Sequence, residues 1–267
     1  MLETEQSTTD QTTSNLDESS NIVRLAKIPT IAERYKKSTL EAAVSDKILY
    51  QPNSALLERI SIYQGDITRV EVDSIVNAAN KSLLVDGAIH HAAGPRLLEE
   101  CRTLNGCMTG NSKITRGYCL PARYVIHTVG PVYSPDAAEE KARQLASCYR
   151  TSLEVAVENQ VRHVVSLYIF SLRLILLNPY LIAKAFPSVS TGIYGYPIVD
   201  ATRVALDQVR RFVESEPGKT LERVVFVVWG NKDLEAYESL VPEYFPPRQE
   251  ESEKNNDVDT NSKDQEV

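Results

Sequence analysis

Residues 60–80 read ISIYQGDITRVEVDSIVNAAN. Two short runs in it, 60–64 and 74–79, are apolar and rich in β-branched or aromatic residues, which predicts strands. A polar turn, Gly65-Asp66-Ile67-Thr68, lies between them. Further along, 123–129 (YVIHTV after Arg123), 185–189 (AFPSV) and 223–229 (RVVFVVW) read as strands. The runs 87–104, 137–159, 199–215 and 232–240 carry helical periodicity. Upstream, residues 22–53 read as one or two short amphipathic helices leading in. Strands that alternate with helices imply βαβ units and a sheet covered on both faces, an α/β/α sandwich.

The composition agrees with a globular domain. The chain has 267 residues, 42% apolar and 24% charged, and the length fits one large domain or two small ones. The net charge of −7 gathers at the ends. Residues 1–21 carry five acids and no base, and 248–267 carry seven acids and three bases. Both ends are too poor in apolar residues to pack and are expected to be disordered. What remains, 22–247, is close to neutral, which argues against a general nucleic-acid surface. Four cysteines without a C-x-x-C pair and four histidines make neither a disulfide framework nor a zinc spacing. Reduced thiols in a cytosolic or nuclear protein are expected. The first 21 residues lack the basic and apolar regions of a signal peptide, and the arginine content of a transit peptide.

In open α/β sheets ligands bind beyond the carboxyl ends of the strands. The residues there are small, polar or acidic: Asp66 after the first strand, Asn80 and Asp86 after the second, Ser190 to Gly195 after 185–189, and Trp229-Gly230 after the last. The glycine-flanked loop 190–195, between a strand and a helix, can aim backbone N–H groups at an anion such as a diphosphate. A plain βα turn is the equal alternative. Asp66 can be a turn residue bonding its own backbone, or an acceptor for an exocyclic amine. Asn80 can be a turn former, Asp86 a helix N-cap, and His90 a core histidine. The convergence of these residues on one rim points to a single ligand cleft.

Taken together, GDIT (65–68), VNAAN (76–80), VDGAIHHAAGP (85–95), NGCMTGNSKITRGYCLPARYVIHTVGP (105–131) and STGIYGYP (190–197) resemble the macrodomain family. More narrowly they resemble the MacroD-type hydrolases, which remove ADP-ribose from acidic side chains and deacetylate O-acetyl-ADP-ribose. The resemblance runs from about Ile28 to Pro247. It implies a three-layer α/β/α single domain with a mixed central sheet over 59–247, with 22–58 as the lead-in.

The resemblance also implies roles. Asp66 would hold the adenine amino group, with the Ile67 amide nearby. Asn80 would bind the distal ribose hydroxyls. Asp86 would orient or activate the attacking water, and His90, one turn on, would support it. Ser190, Thr191, Gly192, Ile193 and Tyr194 would wrap the diphosphate, and Trp229 would line the nucleoside cleft. Neither metal nor cofactor is implied. The expected partners are ADP-ribose, its esters and mono-ADP-ribosylated proteins, with no membrane, no specific nucleic acid and a monomeric chain.

Two departures stand out. The family pattern N-x-x-L-L-G-G-G-G-V-D-G is shortened here to Asn80-Lys81-Ser82-Leu83-Leu84-Val85-Asp86-Gly87. Four residues of reach, at most about 3.5 Å each, are missing ahead of Asp86. An impaired catalytic half is expected, with a non-catalytic ADP-ribose reader as the alternative. Second, the apolar stretch VSLYIFSLRLILLNPYLIAK (165–184) separates Arg162-His163-Val164 from Ala185. It is interrupted by Arg173 and Asn178-Pro179, leaving runs too short for a transmembrane helix. Its removal restores an unbroken family-like strand, RHVAFPSV. A Val-Ser start and a Lys end match codons of a splice donor and acceptor, which points to a translated intron; a genuine insertion that covers hydrophobic surface is the alternative. The expected consequences are weak binding, poor turnover and a tendency to aggregate.

Overall fold

The computed structural model describes residues 21–84, 87–167 and 195–248. Its core is a six-stranded sheet. The strands are β2 (Ile60–Gln64), β4 (Ser74–Ala79), β5 (Ser112–Arg116), β6 (Tyr124–Val129), β7 (His163–Leu167) and β8 (Arg223–Val228). Their order is β2-β8-β7-β4-β6-β5. The first five are parallel and β5 is antiparallel to β6, so the sheet is mixed. The short strands β1 (Val23–Arg24) and β3 (Val70–Glu71) pair beside it.

Strand β8 shows why this sequence makes a two-faced sheet. Its run of Val, Val, Phe, Val and Val is buried throughout. Alternate residues feed opposite cores: Val224, Phe226 and Val228 enter one, Val225 and Val227 the other. A strand covered on both faces has no need of polar alternation. One face is covered by α5 (Ala138–Glu158), α6 (Ile198–Glu214) and α7 (Asn231–Tyr244), the other by α3 (Ala88–Ala93) and α4 (Pro95–Thr103).

Most expected elements are present, with three differences among the described residues. The helix expected over 87–104 is two helices. Gly94 sits at φ +80° between them and Pro95 opens the second. A proline lacks the N–H to continue a helix but suits a first turn. Strand β5, whose sequence is SKITR, was not anticipated. It is a polar edge strand, and its register opposite β6 comes from pairing rather than from its own apolar pattern. The third difference is β7. It begins at His163, where no strand was expected, and continues through Val165, Ser166 and Leu167, the first residues of the anomalous stretch. Val165 pairs with Val225 and Ile75 and is fully buried. The strand expected at 185–189 lies outside the described residues, as do 1–20 and the tail beyond Arg248.

The lead-in packs onto the sheet. Thr30 and Glu33 form a capping box that starts α1 (Ile31–Lys36). Ile31, Leu40 and, from α2 (Ser54–Leu57), Leu56 and Leu57 enter the core shared with α5, α6 and α7. No helix among the described residues is long and apolar enough to cross a membrane.

Candidate functional site

The carboxyl ends of β2, β8 and β4 present three of the expected residues on one rim. Gly65 donates its amide to Val228 O at 3.0 Å, which joins the start of the Asp66 turn to the end of β8. Trp229 follows directly and is half exposed, and Gln64 Nε2 reaches its carbonyl at 3.2 Å. Asp66 and Trp229 are therefore neighbours across adjacent strands. Asn80 lies beyond the β7 position, at the end of β4.

Asp66 is a turn residue, and this leaves it free to be more. Its Oδ1 accepts from the Thr68 amide at 2.9 Å and from Thr68 Oγ1 at 2.7 Å, capping a 3-10 turn over Ile67–Arg69. A carboxylate carries a second oxygen, so a ligand amine can still be accepted at Oδ2. The Ile67 side chain is buried in the core. Its amide opens the turn, where the first donors of a helix have no intrahelical acceptor.

Tyr63 folds back against this turn. A Cβ added at Gly65 would meet the Tyr63 hydroxyl at 2.3 Å, so a side chain there would displace the ring. Burial, and then the Asp66 charge, push the Tyr63 hydroxyl above its ordinary pKa. The phenol is a neutral wall beside the carboxylate.

Asn80 serves its own loop too. Its Oδ1 accepts from the Leu83 amide and from Ser82 Oγ, each at 2.9 Å. The amide nitrogen is the donor it can offer to a ribose hydroxyl. Leu83 is buried at φ +62°, and Cys107 donates its amide to Lys81 O at 2.8 Å. The loop is thus held firmly as far as Leu84. Helix α3 takes Gly87 as its N-cap rather than Asp86. Asp86 and the expected diphosphate residues Ser190, Thr191, Gly192, Ile193 and Tyr194 lie outside the described residues. Just after them, Tyr196 is buried, its ring centroid 4.7 Å from that of Tyr133, and leads into α6.

His90 is buried below the rim, 6% exposed. Its ring stands edge-on to His127, centroids 5.9 Å apart. His127 lies on the face of β6 that meets α4. Asn77 Nδ2 approaches its Nδ1 at 3.1 Å, and Thr115 Oγ1 and Cys101 Sγ lie 2.9 and 3.7 Å from its Nε2. Burial, reinforced by His90, pulls the His127 pKa down to about 3. Burial pushes the Cys101 thiol up to about 11, with Glu100 adding to it. Asn77 and His127 fall within the family-like motifs 76–80 and 105–131 without a role implied for either, and Cys101 lies outside every such motif, one of four cysteines expected as reduced thiols. Only the pairing of β4 with β6 and the packing of α4 on that face bring these three residues to His90.

A cavity of about 610 Å³ opens elsewhere, between α5 and β5, beside Lys81, Lys113, Glu154 and Glu158. None of the expected site residues lines it.

The Macro domain family model matches residues 76–205. The ADP-ribose glycohydrolase MACROD2 of Xenopus laevis is 45% identical over 228 residues, 84% of this chain and 49% of that protein. The chain thus spans about half of that relative's length. A Macro domain-containing protein of Chlorobaculum tepidum, CT2219, is 47% identical over 194 residues, 71% of this chain and 98% of its own. The Trypanosoma brucei macrodomain solved with ADP-ribose aligns at TM-score 0.58 and 34% identity, covering 87% of this chain and 97% of that one. A mixed sheet with a polar rim at its carboxyl edge, a matching family model and near-complete coverage of a small relative agree: this chain belongs to the macrodomain family.

Proposed function

We propose that this chain binds ADP-ribose at the carboxyl rim of its sheet and hydrolyses ADP-ribose esters there, on acidic side chains of proteins or on O-acetyl-ADP-ribose. The carrying observation is the Asp66 turn. One carboxylate oxygen is held by Thr68 and the other is left for an amine, beside the half-exposed Trp229. An adenine offers both the amine and the flat face. The names of the relatives support the reading: a glycohydrolase acting on ADP-ribose, and a macrodomain solved with ADP-ribose.

In this reading Asn80 Nδ2 donates to the distal ribose, and the amides of 190–194 bind the diphosphate. Asp86 positions the attacking water, where placement matters as much as basicity. His90, buried beneath, positions the start of α3 and does not touch the substrate. The partners are mono-ADP-ribosylated proteins of the cytoplasm or nucleus, met by a monomeric chain.

The second reading is a reader that binds without turnover. The short link favours it. Only Val85 and Asp86 join the fixed Leu84 to the Gly87 cap, and this leaves Asp86 little reach. Calorimetry with ADP-ribose and a turnover assay with O-acetyl-ADP-ribose separate the readings. Binding with turnover supports the hydrolase, binding alone supports the reader, and absence of binding rejects both.

A further inference from the structure

Beneath the rim, three donors of soft-metal chemistry meet in a dry place. One ligand atom from each of His90, Cys101 and His127 lies within 4.8 Å of the others, and all three residues are buried. They come from three elements, α3, α4 and β6. The separation of Cys101 Sγ from His127 Nε2 is 3.7 Å. Two donors at about 2.0 and 2.3 Å from one cation in a trigonal plane stand about 3.7 Å apart. Cys101 and His127 already stand at that spacing, and His90 has to come in from at most 4.8 Å to close on a cation.

We propose that His90, Cys101 and His127 form a trigonal binding site for a cuprous ion. Two imidazoles and a thiolate suit soft d10 cations. Charge then chooses between them. Cu⁺ with one thiolate is neutral. Zn²⁺ with one thiolate would leave a net positive charge in an apolar core, and among the described residues no carboxylate joins the cluster to cancel it. Zinc also prefers a fourth ligand.

The proton balance is simple. The Cys101 thiol releases one proton to solvent as the Cu–S bond forms. To bind the metal, His127 carries its one proton on Nδ1 and presents a bare Nε2, and Thr115 Oγ1, 2.9 Å from Nε2, gives up its hydrogen bond to the ring. Asn77, whose amide nitrogen faces Nδ1, turns its amide so that the oxygen accepts this proton. A hydrogen bond on the far ring nitrogen is what orients a ligating histidine. Gly94 separates the helices that carry His90 and Cys101, and a small opening at this hinge admits the ion. The site shares His90 with the proposed ADP-ribose chemistry, where that residue positions the start of α3, whereas Cys101 and His127 have no role there.

The test is anaerobic titration of the full chain with Cu⁺ against a chromophoric cuprous chelator. One equivalent should transfer to the protein, with one proton released and a thiolate-to-copper absorption band. X-ray absorption on the loaded, unmodified protein should give one sulfur and two nitrogen ligands. Cys101→Ser and His127→Gln should lose the bound equivalent, whereas Cys119→Ser should keep it. The proposal is overturned if the chelator retains the copper, if Cys101→Ser still takes one equivalent, or if absorption shows two sulfurs. It is equally overturned if Zn²⁺ displaces bound Cu⁺. The absorption measurement needs no variant, so it decides the matter even if a variant fails to fold.

Discussion

The guanidinium of Arg210 lies 4.9 Å over the ring of Tyr50. Phe245 holds it from another side at 5.5 Å, and it donates to Tyr244 O at 2.7 Å and Gln51 O at 2.9 Å. Glu214 pairs with it at 2.6 Å. Arg210 is 2% exposed, so helix α6 fastens the lead-in and the end of α7 through one buried cation. Its planar fork and its stacking are features lysine does not share.

Arg210→Ala should destabilise the fold by ~2–4 kcal/mol, because two carbonyls lose a charged donor and two rings lose their partner. Arg210→Lys should recover only part of this. Urea unfolding measures the loss. Amide exchange over 48–57 should accelerate more than in β8, and uniform acceleration would mean that Arg210 does not act through the lead-in.

Asp66→Ala should weaken ADP-ribose binding by ~1–3 kcal/mol, the cost of an unpaired polar partner. It also removes the cap from the Ile67–Arg69 turn. Asp66→Asn keeps an oxygen for the Thr68 amide, so its melting temperature should fall less while its affinity still falls. Unchanged affinity by calorimetry in both variants removes Asp66 from the site.

Deleting 165–184 should raise soluble yield and melting temperature. Ala185 and Phe186 then follow Val164, and Ala185 takes the place of the buried Val165 opposite Val225. The loop 190–195 would then directly follow a strand at the centre of the rim. If the deletion unfolds the chain, Val165, Ser166 and Leu167 are native to β7 and the intron reading fails.

Four glycines added between Leu84 and Val85 in the deleted chain should increase turnover of O-acetyl-ADP-ribose. The Asn80 and Cys107 bonds hold the loop as far as Leu83, and the Leu84 amide donates to Ser82 Oγ at 3.2 Å, so added length goes to the reach of Asp86. Equal rates before and after insertion would show that the short link already places Asp86 correctly.

Asp73 makes stability depend on acid. Burial alone would raise its pKa. The amides of Arg162 and His163, the His163 ring at 3.0 Å and Arg123 at 3.3 Å outweigh it, and the net shift is downward. A depressed folded pKa stabilises above the unfolded value of about 3.9 and ceases to do so as pH falls through the folded one. Asp73→Asn should therefore cost ~1 kcal/mol at neutral pH, and the gap to wild type should narrow below about pH 4. Urea midpoints at pH 7 and pH 3 check this, and a constant gap would contradict it.

The sequence by itself determined the layers and the rim. A run such as RVVFVV, short and rich in β-branched residues, reads as a strand buried on both faces, and Asp66, Asn80 and Trp229 fall just past strand ends whatever the strand order. These are local patterns, readable because period and turn chemistry act over a few residues. The family resemblance came from short motifs in a fixed order. Only the tertiary structure decided what depends on which strand lies beside which. The order β7-β4-β6-β5 brings Asn77, Thr115 and His127 together and sets Cys101 and His90 against them, although 50 residues separate Asn77 from His127. Similarly, β7 takes 163–167 because Val165 fills the core between Val225 and Ile75, a competition between chain segments that sequence periodicity does not resolve. A polar edge strand such as β5 and a buried arginine such as Arg210 carry no apolar pattern. Their places follow from the partners that the packed fold supplies.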